Sequence, residues 1–221
     1  MSECVDLENP SSGSCEFFVQ IVDEDSFIAV EEISLGIWPL DVLSQKIGYE
    51  VGDLTPDDFL FLDDEKKNRV EKLFKISLSR DGCDSIMFHW NPSEGLPYRT
   101  HSRRELILMK SGEKPLSVFT KMIPDNPETF LLPKHLFDPL VSSGDLVSRT
   151  YCEILETNSR FSGIEIILYA SAREEWRIEA YMLVRSIARK MGWSEPLTRM
   201  EGSLLGYSEW QNDAFMAAGS S

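Results

Sequence analysis

Basic residues are almost missing from the first 65 positions, where Lys46 stands alone against 17 acids, a net charge of −16. The remaining 156 residues carry a net charge of +1, so the excess behind the overall −15 lies in the first third. Neutralising phosphates needs a basic surface, and direct nucleic-acid binding is therefore not expected. Long apolar runs are also lacking. No uncharged stretch approaches the ~20 residues of a membrane-spanning helix, and Met1–Asp6 holds acids where a targeting peptide would be basic. The expectation is a cytoplasmic protein with no membrane partner.

Chemistry-bearing motifs are scarce as well. Cys4, Cys15, Cys83 and Cys152 form no Cys-x-x-Cys pair, and His89, His101 and His135 have no metal-ligand spacing, so neither a metal nor a cofactor is expected. Disulfides are not expected in a cytosolic chain. There is no Gly-x-Ser-x-Gly elbow, no phosphate-binding Gly-x-x-x-x-Gly-Lys and no Gly-x-Gly-x-x-Gly. Glu175 and Glu179 sit among Arg173 and Arg177 as ordinary surface ion pairs would. No motif fixes a reaction, which weighs against an enzyme.

What the chain does have is a composition suited to a folded core, with 42% hydrophobic and 10% aromatic residues. Residues 1–15 read as a flexible leader and residues 16–221 as a single α+β domain with a strongly acidic portion at 16–65. The sheet is expected to be mixed or mostly antiparallel because strand patterns arrive in pairs, and the C-terminal part reads as mainly helical. Phe17–Val22 and Phe27–Val30 suggest a hairpin, and Lys75–Ser79 with Ser85–Trp90 suggest a second around Asp81-Gly82. Short helices are expected at 41–47 and 57–62, and a longer one at 64–75. Ser102-x-x-Glu105 and Ser171-x-x-Glu174 read as capping boxes. Strands are expected at 116–122, 146–155 and 164–170. The helix of Ala172–Met191 is expected to bury Ala180, Leu183, Val184, Ile187 and Met191, and helices at 196–205 and 209–217 to follow.

Five acids near Thr55–Glu65 suit helix starts, where the dipole favours them. Asp23, Glu24, Asp25, Glu31, Glu32, Glu50 and Asp53 have no such local reason. They could form a solvated face, meet the chain's own basic segment, or meet a cationic partner. The leading expectation is a non-catalytic acidic interaction protein that inhibits a basic partner protein or nucleic-acid-binding complex, of the immunity, antidefence or nucleic-acid-mimic type. Its acids would supply long-range attraction, and nearby apolar groups would supply the fit. The alternative is a small enzyme acting on an anionic small molecule at Arg99, His101, Arg103 and Arg104, a cationic segment leading into a helix start. Trp193, Tyr207, Trp210 and Phe215 crowd the C-terminal end as a packed cap or an interface.

Overall fold

The computed structural model describes residues 14–49, 59–90, 101, 103–123, 131–155 and 161–218. They form an α+β fold with two antiparallel sheets and a helical C-terminal region. The chain divides into two compact units, one within Met1–Glu24 and Val30–Gly95, the other within Asp25–Ala29 and Leu96–Ser221. The sequence has no linker that marks such a division, which is why it reads above as a single domain.

In the first unit, β1 (Ser14–Asp23), β2 (Ala29–Pro39), β3 (Leu60–Phe61) and β4 (Cys83–Trp90) form a sheet in the order β2-β1-β4-β3. Helices α1 (Leu40–Ile47) and α2 (Asp64–Phe74) accompany it. Alternation along the strands sends Phe17, Val19, Leu35 and Met87 to one face, where they bury against Leu43 and Ile47 of α1 and Val70 of α2. Asp63 caps α2 by accepting from the Lys66 N–H, as a cap acid should. Cys15 belongs to this core rather than to a leader.

Two expected elements are replaced. Residues 75–79 are not a strand: β4 pairs with β1 and β3 instead. Leu78 is fully buried, and its N–H is taken by the Glu71 carboxylate at 2.7 Å, which satisfies the backbone without a ladder. The helix expected at 57–62 gives way to β3, since Leu60 and Phe61 pair with Met87 and Ile86. Residues 57 and 58 lie outside the described ones.

In the second unit, β5 (Leu116–Ile123), β6 (Leu146–Ile154) and β7 (Gly163–Ser171) form a sheet in the order β5-β7-β6. Helices are α3 (Glu105–Ser111), α4 (Lys134–Ser142), α5 (Trp176–Met191), α6 (Glu195–Leu204) and α7 (Glu209–Ala218). Ile166, Leu168 and Ala170 of β7 bury against Ile178, Tyr181 and Val184 of α5 and Leu204 of α6. On the opposite face Tyr169 stacks on Phe137 of α4 at 4.6 Å and meets Phe119 edge-on. Helices therefore cover both faces of this sheet.

The capping box expected at Ser171 does not form, and the one expected at Ser102 lies outside the described residues. Helix α3 starts at Glu105. Ser171 leads into a 3-10 turn at Ala172–Glu174 without a side-chain cap. A reciprocal bond does mark the start of α7, where Gln211 Oε1 accepts from the Ser208 N–H.

The phase of α5 also differs from the expected one. Ile178, Tyr181, Val184 and Ala188 face the core, while Leu183 and Met191 are solvent-exposed. Two apolar stripes run along this helix, and the buried one includes a tyrosine that the sequence pattern passes over.

Candidate functional site

The described members of the acids singled out in the sequence have different surroundings. Asp23 is buried at the end of β1, opposite Cys83. Its negative charge adds to burial in pushing the Cys83 thiol above its ordinary range. Glu31 is engaged by Arg80 at 2.9 Å. Glu32 accepts from the Gln20 amide at 2.9 Å, and among the described members of this set Glu24 and Asp25 are exposed. Glu50 and Asp53 lie outside the described residues.

The first sheet nevertheless builds an acidic surface on the face that α1 and α2 leave alone. Successive strand residues alternate faces, so Phe17 and Val19 in the core put Glu16, Phe18 and Gln20 on the other side. Cross-strand register places Phe88 opposite Phe18 and Ile86 opposite Gln20. The Phe18 and Phe88 rings stack at 5.3 Å with 16° between their planes. Glu32 bonds Gln20, and Ser34 Oγ reaches Glu16 Oε1 at 3.5 Å, so both β2 side chains share this face. Phe61 of β3, paired with Ile86, completes it and is 53% exposed.

This face closes at the Gln20–Ile86 end, where both residues are buried, and opens toward the half-buried Phe18–Phe88 pair. Glu16 and Glu32 border the aromatic pair. Carboxylates beside an accessible aromatic surface can meet a cation twice, through charge and through the ring faces. The whole unit carries 20 acids against seven bases, so its field has one sign.

The cationic segment has a different character. Arg99 lies outside the described residues. His101 is buried; its ring lies 4.2 Å from Tyr207, and its Nδ1 is 3.3 Å from Lys114 Nζ. An ammonium can only donate, so Nδ1 accepts and the imidazole proton sits on Nε2. Burial, then the charges of Lys114 and Arg104, lower the His101 pKa to about 4. Lys114 also donates to the Leu205 carbonyl at 3.3 Å, lies over the Tyr207 ring, and is lowered to about 8 by burial. Burial raises the Glu105 carboxyl as well.

Arg103, at a positive φ of 65°, stacks on Phe27 and passes its carbonyl to the Ala29 N–H. These contacts fasten the segment before α3, the start of β5 and the α6–α7 corner to one another. His101 is thus a neutral packing group near neutral pH. Tyr207 also lines a cavity of about 180 Å³ with Gly202, Leu205, Asn212 and Phe215.

Lys114 and Tyr207 were invisible as partners of His101 in the sequence, because residues 13 and 106 positions away carry no spacing signal. Among the described residues no group of three or more His, Cys, Asp or Glu side chains is placed to hold a metal ion. Among them, too, no helix is long and apolar enough to cross a membrane. Compared with known proteins, the chain matches no family model, no curated protein and no solved structure.

Proposed function

We propose that the first unit is an acidic interaction module that binds and inhibits a basic protein or nucleic-acid-binding complex, using the open sheet face around Phe18 and Phe88. The observation that carries this reading is the juxtaposition of Glu16 and Glu32 with a stacked, half-buried aromatic pair on a face that α1 and α2 leave uncovered. Long-range attraction comes from the net negative unit, and short-range fit from Phe18, Phe61 and Phe88. Nucleic-acid mimicry, as in immunity or antidefence proteins, is the sharpest form of this function. A carboxylate array there would occupy the groove a partner otherwise reserves for phosphates.

Capture from a native lysate with the full chain, run beside its Glu32→Lys, Phe61→Ser variant, tests the reading. The wild type should retain a basic protein in stoichiometric amount and the folded variant should lose it. Equal recovery by both, or recovery of no basic protein, would refute the assignment of this face.

A further inference from the structure

Helix α5 carries a second apolar stripe, of which only Ala180 packs against the edge of the core. Trp176, Ala180, Leu183, Ile187 and Met191 recur at the three- and four-residue spacing of one helix face, turned by roughly 120° from the buried residues. Trp176 is 57%, Leu183 61% and Met191 83% exposed. Helix α6 runs antiparallel beside α5, since Arg177 bonds the Ser203 and Leu204 carbonyls while the short connection joins the opposite end. Leu197 and Leu204 of α6 pack inward. Met200, between them in sequence, and Trp193 in the connection are each 52% exposed.

Together the open parts of Trp176, Leu183, Met191, Trp193 and Met200 amount to roughly 600 Å² of apolar surface, taking about 150–250 Å² for a whole aromatic side chain and somewhat less for Leu and Met. That equals the largest patches of ordinary monomers and approaches the ~800 Å² that each partner gives to a standard interface. The stripe is also self-complementary. Trp176 and Met191 stand equally far from its middle, as do Ala180 and Ile187. An antiparallel second copy would therefore set Trp176 against Met191, Ala180 against Ile187, and Leu183 beside the two-fold axis.

Charge agrees with that arrangement. Glu179 and Lys190 flank the stripe on one side, toward opposite ends, and an antiparallel copy faces each flank with itself reversed. Glu179 would then meet Lys190 of the second copy, twice. One Glu179 oxygen is held by the Tyr151 hydroxyl at 2.9 Å, which orients the carboxylate. The second unit holds 15 bases and 17 acids, so two copies do not repel strongly there.

We propose that the outer α5–α6 seam, with Leu183 at its centre and Glu179 and Lys190 on its flank, is the contact of a two-fold antiparallel homodimer of this chain.

Sedimentation equilibrium of the full chain over about 1–100 µM, a range that reads micromolar affinities, tests it. The wild type should dimerise, and Leu183→Glu or Met191→Glu, both at exposed positions, should weaken dimerisation at least tenfold while circular dichroism stays unchanged. Lys190→Glu alone should weaken it, and adding Glu179→Lys should restore it by reversing each pair. A chain that stays monomeric across the range overturns the proposal, as does a dimer insensitive to Leu183→Glu. A double reversal no tighter than the single one overturns the antiparallel register.

Discussion

Lys114 donates its ammonium proton to Nδ1 of His101 across 3.3 Å, a bond between two groups that would both be cationic in acid. It survives only while the imidazole is neutral, and the surroundings enforce that by holding the His101 pKa at about 4. The unfolded chain has no such constraint and takes up the proton near pH 6.5.

Between pH 6.5 and 4 the unfolded state therefore binds more protons than the folded one, and stability must fall as pH falls through that window. The expected loss is about 2–3 kcal/mol for a shift of this size. Glu105, raised by burial, acts with the opposite sign as pH falls, so the wild type is best compared with His101→Gln. Denaturant melts across the range should show a clearly shallower acid slope in the variant. Identical slopes would mean that His101 does not titrate as its burial requires.

The phase of α5 gives a second expectation. Val184 is buried against the second sheet, whereas Leu183 next to it is 61% exposed. Val184→Ala should cost about 1–3 kcal/mol and Leu183→Ala less than about 0.5 kcal/mol when both are melted in dilute solution. The opposite order would place the other stripe inside.

Much of the second unit could be read directly from the chain. The strand patterns at 116–122, 146–155 and 164–170 and the helices after Ser171 follow from local periodicity, and the structure keeps their bounds to within a few residues. The α5 phase could not, because Leu183 and Val184 are equally apolar and only contacts with β7 decide which is buried. Residues 75–79 looked like a strand because Ile76 and Leu78 alternate. A carboxylate seven residues away, Glu71, took the backbone donor a ladder would have used. Of the carboxylates on the sheet face, Glu32 stood out in the sequence and Glu16 did not. Phe18 and Phe88 of the same face meet through a register 70 positions apart, which no local pattern encodes.

Gly206 offers a sharp test of the corner held by Lys114. Its φ is +90°, and a Cβ built there would lie 2.5 Å from Cδ of Pro115. Side chains are strained in that backbone region and the proline ring cannot yield. Gly206→Ala should lower stability by about 1–3 kcal/mol, read from thermal or urea melts. A neutral result would show that α6, α7 and the start of β5 are not clamped at this point.

The central claim is that the sheet face bearing Glu16, Glu32, Phe18 and Phe88 captures a cationic partner. The measurement that tests it most directly is the association rate with that partner at low and at physiological ionic strength, for the wild type and for Glu16→Lys combined with Glu32→Lys. Salt should slow the wild type about tenfold or more, because screening shortens the reach of the unit's field. The charge reversal should bring the low-salt rate down to a comparable extent, with dissociation changed less. Association that is indifferent to both salt and the reversal would contradict the account.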